Sequence, residues 1–487
     1  MSKFQKIDFY QKQNINSYSL LPFRFTALDE NSHVVTNMAG EYLVLPKEVL
    51  PKFVKKQLTE TDPEYIDLRA KHFLIDDKTT IAKDLLAIKL RTKYKHLANF
   101  TSLHIFVISL RCEHSCPYCQ VSRQSDDNIK YDMSYDIASK SIDLALRSPS
   151  PLLKFEFQGG EPLLNFELIK YIVNETGKRN TKNKEIAYVI ATNLALVNDE
   201  ILEFCSKHKI FISTSLDGPE DLHNKNRPRP GKNSHQKAIQ GINQCRAKLG
   251  REYVSALMTT TEASLGRSKE IIDEYLLRDF DGIFLRPLSP YGFAIKTKSY
   301  ATYNMERWLQ FYIEGIEYII QLNKMGIPFQ EYYATTILNK IFTSIDPGYV
   351  DLMSPAGIGI GAIVYNYDGV VYPSDESRML AEMGETKFQL GNVLENTYEE
   401  IILNPALLDP IEESIALSVP MCDECAFENY CGADPVFHYG MYKDYIGRKP
   451  ESEFCNRNMG IFKYLISKME SDKYVKNLFL NWTKVKC

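Results

Sequence analysis

The stretch Arg111-Cys112-Glu113-His114-Ser115-Cys116-Pro117-Tyr118-Cys119-Gln120 decides how this chain is read. Its three cysteines are spaced Cx3Cx2C. Three thiolates so placed on one loop can hold three corners of a 4Fe–4S cube and leave the fourth iron without a protein ligand. An open iron can bind a small molecule. Zinc is an alternative, with a fourth ligand supplied from afar by Asp, Glu or His; three packed core thiols are another. Immediately upstream, Leu103–Leu110 is a β-rich apolar run too short for a typical helix. The loop therefore follows a strand, as a barrel site requires.

About forty residues on, Phe155-Glu156-Phe157 reads as a second strand running into Gln158-Gly159-Gly160-Glu161-Pro162. By itself this segment would mark only a turn. Further strands are expected at Ile186–Ile190, ending in Thr192-Asn193, and at Ile210–Leu216, ending in Asp217-Gly218-Pro219. Val254–Met258 and Gly282–Pro287 follow. Amphipathic stretches near 133–147, 164–177, 198–208, 234–247 and 266–278 separate them. Strand and helix in alternation predict an α/β fold on a parallel sheet, with polar strand ends carrying the site.

A second cysteine set comprises Cys422, Cys425, Cys431 and Cys455. Four thiolates suit a tetrahedral zinc or a fully ligated 4Fe–4S cluster, and spacing alone does not decide between them. At the other end, Pro22–Leu28, His33–Met38 and Glu41–Pro46 read as three short strands. Amphipathic segments near 47–57, 63–73 and 79–96 come next. Three units are expected: 1–99, 100–345 and 346–487.

The chain has 487 residues, 25% of them charged, and a net charge of −4, so nothing points to a nucleic acid or a membrane surface. No apolar run reaches bilayer length, and Met1-Ser2-Lys3-Phe4-Gln5-Lys6 lacks the apolar core of a signal peptide. A cytoplasmic protein is expected. Seven of the ten cysteines fall in the two clusters, which favours metal over disulfides. Cys205 and Cys245 read as buried core thiols, and Cys487 has no assigned role.

The cysteine spacing, with Tyr118 as the aromatic before the third cysteine, resembles the radical S-adenosylmethionine (SAM) superfamily. So does Gly159-Gly160-Glu161-Pro162 one strand later. The resemblance implies a partial (β/α)6 barrel, with a 4Fe–4S cluster on Cys112, Cys116 and Cys119 that binds SAM. It places the Gly159–Gly160 backbone and Glu161 on the SAM amino group, Ser215 and Arg227 on its carboxylate, and Asn193 on the ribose side. Asn193 and Asp217 read equally well as residues that close turns.

The second cysteine set is similar to the SPASM domain of peptide-modifying enzymes, which implies an auxiliary 4Fe–4S cluster. That domain usually carries two clusters. Here Ser354, Gly359, Ser374 and Pro435 stand where further ligands are expected, so one cluster is expected. In sulfatase-maturing relatives the Asp after the Ser374 position is the base, which makes Asp375 the candidate catalytic residue. The alternative is a solvated pair with Glu376, and a base must lie within hydrogen-bond reach of its proton.

The N-terminal unit resembles the winged-helix-like leader-recognition domain of peptide maturases, where a leader peptide adds a strand to a sheet edge. A cap that packs on the barrel is the alternative. Tyr18–Phe25, Tyr365–Leu380 and Cys431–Tyr439 together resemble the His-Xaa-Ser system radical SAM maturase, B-type. That resemblance implies a precursor peptide substrate, a second radical SAM protein as partner, and an electron donor such as flavodoxin or ferredoxin. Three other readings stay open: formylglycine formation on a sulfatase, a small-molecule radical SAM enzyme, and a leader-binding scaffold for a paired enzyme.

Overall fold

The computed structural model describes residues 18–78 and 81–483; Met1–Lys6, Thr79, Thr80 and Cys487 lie outside it. Five parallel strands lie side by side in chain order: Leu103–Ser109, Leu152–Gly159, Glu185–Thr192, Phe211–Ser215 and Val254–Leu257. Helices Tyr135–Arg147, Phe166–Arg179, Asp199–His208 and Ser234–Leu249 run between them. Local chemistry starts two of these helices: Ser134 accepts from the Ile137 amide and Asn198 from the Ile201 amide, the usual work of an N-cap. Helical periodicity then buries Ile137, Ala138, Ser141, Ile142 and Ala145 along one face.

The second strand alternates, with Leu153, Phe155 and Phe157 buried. Phe106 packs between the last two, its ring centroid 5.0 Å from Phe155 and 5.9 Å from Phe157. Each such fully buried ring contributes about 1.5–3 kcal/mol.

The sixth expected strand departs from the sequence reading. Gly282–Ile283 pairs in parallel with Gln330–Glu331, in a two-stranded ladder apart from the main sheet. Beyond it, Pro287 and Pro290 have no amide hydrogen to offer a ladder. The Thr260 amide still donates to the Arg286 carbonyl at 3.0 Å, which holds this segment to the end of the fifth strand. The core is a (β/α) barrel-type sheet of five laddered strands.

On the opposite side, Ala362–Tyr365 pairs in parallel with the first barrel strand, and Val370–Tyr372 and Gly391–Asn392 extend the sheet antiparallel to eight strands. The N-terminal sheet orders Phe23–Ala27, Ser32–Asn37 and Tyr42–Pro46 as an antiparallel meander. Tyr18, Phe53, Tyr65, Leu68 and Phe73 form its own core with helices Val49–Val54 and Pro63–Ala70.

This sheet leans on the loop that carries the second cysteine set. Thr36 Oγ1 donates to the Ala426 carbonyl at 2.7 Å, Asn429 Nδ2 to the Asn37 carbonyl at 3.0 Å, and the Tyr430 hydroxyl to the Gly40 carbonyl at 2.7 Å. No helix among the described residues is long and apolar enough to cross a membrane.

Candidate active site

A cavity opens at the C-terminal ends of the barrel strands. Cys112, Cys116, Cys119 and Tyr118 line it from the first loop, and Gly159 and Gly160 from the second. Asn193, Ser215, Arg227 and Asp375 complete the expected set around it. Glu161 does not reach this wall.

The cysteine loop is held in place by the surrounding backbone. The Ser115 amide donates to the Pro228 carbonyl at 2.7 Å, and the Phe293 amide to the Cys119 carbonyl at 2.8 Å. Arg111 clamps the start of the loop by two bonds to the Asp132 carboxylate, 2.8 and 2.7 Å. Gly292, at φ +58°, passes so close to the loop that a Cβ would lie 2.4 Å from the Gln120 carbonyl oxygen. Only glycine fits there.

Beneath the loop lies a polar layer. Asp217 is fully buried and accepts from the Tyr118 hydroxyl at 2.5 Å and from Arg227 Nε at 3.0 Å. The Arg227 guanidinium is thereby held 5.6 Å from the Tyr118 ring centroid, with one edge on the cavity. Asp217 thus orients two cavity residues, beyond the turn-closing part open to it from sequence. His114 Nε2 meets Ser234 Oγ at 2.8 Å, and the same hydroxyl meets His223 Nε2 at 3.1 Å. Ser234 and His223 lie on helices with no local signature, so sequence reasoning missed them. Arg286, near the end of the sixth strand run and expected beside Asp375 where a peptide would meet the barrel, also lines the cavity.

Glu161, expected on the SAM amino group, is held by donors of the protein itself. It is fully buried, and its carboxylate accepts from Thr192 Oγ1 at 2.6 Å, from the Asn193 amide at 2.9 Å and from the Leu163 amide at 3.1 Å. Burial and the nearby Glu113 push its pKa up to about 8, against the pull of these three donors. Its carboxylate ties the Gly-Gly-Glu-Pro turn to the end of the third strand. Gly159 and Gly160, which line the cavity, also pass close to protein backbone. A Cβ on Gly159 would lie 2.0 Å from the Ser109 carbonyl oxygen, and one on Gly160 2.1 Å from that of Arg111.

Soft thiol donors suit an iron–sulfur cluster. Cys112, Glu113 and His114 also bring ligand atoms within 4.8 Å of one another, as a single ion would need. However, His114 has Nδ1 on Glu113 at 3.1 Å and Nε2 on Ser234, so neither ring nitrogen is free. Three thiols around one cavity therefore fit a cluster with an open iron better than they fit zinc. Burial pushes the Cys116 thiol up to about 12 while Arg227 pulls it down, and ligation must displace such protons.

Asp375 begins the helix Asp375–Ala381, where Ser374 and Ser377 form a reciprocal cap. Its carboxylate accepts from the fully buried Arg378 at 2.9 Å, which fixes it at the cavity edge. The other expected ligand positions of an additional cluster serve the fold. Ser354 Oγ accepts from the Ala416 amide at 3.0 Å, Gly359 packs on Leu407, and Pro435 opens a helix. Cys422, Cys425, Cys431 and Cys455 line a second, largely apolar cavity with Phe427, Met459 and Phe462. Four thiols around one space fit a fully ligated cluster or a zinc ion.

Residues 106–262 match the Radical SAM superfamily model. The cysteine-type anaerobic sulfatase-maturating enzyme of Clostridium perfringens is 26% identical over 343 residues, covering 66% of this chain and 85% of the relative. Native anSMEcpe, solved with bound AdoMet and the Cp18Cys peptide, superposes with a TM-score of 0.62 at 18% identity over 78% of this chain and 99% of its own. Streptococcus suis SuiB bound to precursor peptide SuiA gives 0.53 at 14% identity, over 90% of this chain and 99% of its own. At these identities the two structures establish a shared fold.

Proposed function

We propose that this chain is a radical SAM enzyme acting on a residue within a peptide chain. The observation that carries this reading is the meeting of Cys112, Cys116 and Cys119 with Gly159, Gly160, Asn193, Ser215 and Arg227 around one cavity. Cys112, Cys116 and Cys119 would hold a 4Fe–4S cluster, and the polar residues would hold SAM. When bound, the pair supplies reductive cleavage of SAM to methionine and a hydrogen-abstracting 5′-deoxyadenosyl radical. The chain's own residues bind and orient. Arg227 offers a fixed cation for a carboxylate, Ser215 and Asn193 offer polar contacts, and the mouth at Asp375 and Arg286 receives the substrate. Asp375, at the edge of that cavity, would be the residue that takes a proton.

Two finer readings compete. Formylglycine-type sulfatase maturation is favoured by the Clostridium perfringens relative, which aligns across two thirds of this chain, and the comparisons weigh more toward it. Maturation of a precursor peptide of the His-Xaa-Ser type is favoured by the N-terminal sheet. The outer side of Phe23–Ala27 carries no further strand among the described residues, and Phe25 is exposed there. Such an edge suits strand addition by a leader. The alignment with SuiB, reaching 90% of the chain, also supports that reading. In either case the Cys422 set would hold an auxiliary cluster. A scaffold with an idle site is disfavoured by the intact Cys112, Cys116 and Cys119 around the cavity.

The test is anaerobic reconstitution with reductant and SAM. Release of 5′-deoxyadenosine, abolished in Cys116→Ala, is expected; no release by the intact protein with peptide present overturns the reading. A cysteine-bearing sulfatase-type peptide and a His-Xaa-Ser precursor, compared by mass spectrometry of the products, separate the two finer readings.

A further inference from the structure

Two charged residues interrupt the apolar wall around Cys422, Cys425, Cys431 and Cys455: Glu428 and Lys449. Glu428 is answered from the N-terminal sheet, with Arg24 Nη1 3.4 Å from its carboxylate and both side chains buried. Lys449 has no such answer. It is 6% exposed and makes no ion pair among the described residues. Its ammonium meets the Ala433 carbonyl at 3.5 Å and His438 Nε2 at 3.4 Å, two long contacts for a group with three donors. A buried cation so placed needs a countercharge. Burial lowers its pKa, and the charges that raise it again are Cys422, Cys431 and Cys455 first and Asp434 after them.

His438 does not share the positive charge. Its Nδ1 lies 2.8 Å from the Asp434 carbonyl, so that nitrogen carries the ring proton. Nε2 therefore faces Lys449, and Ser452 Oγ at 2.9 Å, as an acceptor. Burial and the adjacent Lys449 push the imidazole down to about 4. The Ser452 hydroxyl in turn accepts from the Cys455 amide at 3.3 Å, which ties this network to the cysteine set. Two of the thiols also meet donors. The Phe427 amide lies 3.4 Å from Cys425 Sγ, and Asn458 Nδ2 lies 3.9 Å from Cys431 Sγ. The Tyr333 hydroxyl, 2.7 Å from Asn458 Oδ1, fixes which way that amide points.

Net charge, hydrogen bonds to sulfur and exclusion of water set the potential of an iron–sulfur cluster. A 4Fe–4S core on four thiolates is an anion that gains a further negative charge on reduction. A fixed cation in an apolar wall favours the reduced form more than the oxidised one. We propose that Lys449 is the countercharge of the cluster on Cys422, Cys425, Cys431 and Cys455 and raises its reduction potential, so that this cluster accepts an electron more readily. The inference rests on the auxiliary-cluster reading above and adds to it a residue that tunes the cluster.

A full-length variant with Cys112, Cys116 and Cys119 replaced by alanine isolates this cluster, and electron paramagnetic resonance follows its reduced form in a dithionite titration. Lys449→Met is expected to keep its iron and to lower the reduced-to-oxidised ratio about ten-fold at a fixed applied potential, a shift of ~59 mV for one electron. Lys449→Arg should stay close to the parent. The same titration of the protein with both clusters present repeats the comparison should the triple variant fail to hold iron. Iron retained at an unchanged potential in Lys449→Met, or an equal shift in Lys449→Arg, overturns the proposal and leaves the cluster reading standing. Loss of iron from Lys449→Met but not from Lys449→Arg supports it, because the charge is what the second variant keeps. Loss from both overturns it, since the shape of the side chain then matters and its charge does not. Zinc in place of iron at this set overturns the cluster reading itself, and the proposal with it.

Discussion

Asp217 concentrates the electrostatics of the barrel cavity in one side chain. It alone holds the Tyr118 hydroxyl and the Arg227 guanidinium, from a fully buried position. Asp217→Asn leaves a buried cation without its countercharge, a change that costs about 3–5 kcal/mol. Urea denaturation should register that loss, and SAM affinity should fall with it because Arg227 is no longer fixed. An unchanged midpoint with unchanged affinity would remove Asp217 from its positioning role. Gly160→Ala makes a contrasting case, since its Cβ would collide with the Arg111 carbonyl. Poor soluble yield and loss of iron are expected there, because the displaced backbone carries Cys112. The identity of the cavity residues was largely legible, since each sits at a strand end or in a short spaced motif. The protein partners of Glu161 were not: a carboxylate after two glycines carries no mark of Thr192 and Asn193 as its donors.

At the scale of elements, five barrel strands and their helices were legible because β-rich runs alternate with amphipathic ones. The sixth was misplaced, for its strand has only two residues before the prolines intervene. The strand Ala362–Tyr365 was missed as a partner of Leu103–Ser109. Four buried apolar residues leave no trace of a neighbour so distant in sequence. Between these two strands His104 is fully buried, with Nδ1 3.1 Å from the Tyr365 hydroxyl and Nε2 3.2 Å from the Thr101 carbonyl. Burial lowers its pKa from 6.5 to about 3. Above 6.5 the imidazole is neutral in both folded and unfolded chain. As pH falls from 6.5 toward 3 only the unfolded chain takes up the proton, so stability is lost, by up to about 1.4 kcal/mol per pH unit. Comparing urea midpoints at about pH 7 and pH 5 should show this, and His104→Gln should flatten that part of the slope.

Across the whole molecule, the N-terminal sheet and the second cysteine set share a wall. Thr36, Asn37 and Gly40 bind the loop between Cys425 and Cys431, and Lys93 Nζ donates to the Asn429 carbonyl at 2.9 Å. Removing residues 1–99 should therefore do more than weaken peptide binding: iron or zinc at the Cys422 set should be lost while the barrel cluster survives. Metal analysis of the shortened protein checks this. Full retention at both sites would mean that the docking is incidental to the cysteine loop.

The pairing of Ala362–Tyr365 with Leu103–Phe106 has a temporal consequence. On the ribosome the first strand emerges roughly 250 residues before its outer neighbour, a wait of ~10–50 s at ~5–20 residues per second. During that interval one edge of a buried, apolar strand has no partner, the condition under which sheets recruit other chains. A nascent chain halted near residue 345 should aggregate or bind chaperones, whereas one extended past residue 392, the end of the eighth strand, should not. The segment that matches the superfamily, residues 106–262, then waits on the far part of its own chain to become a finished sheet.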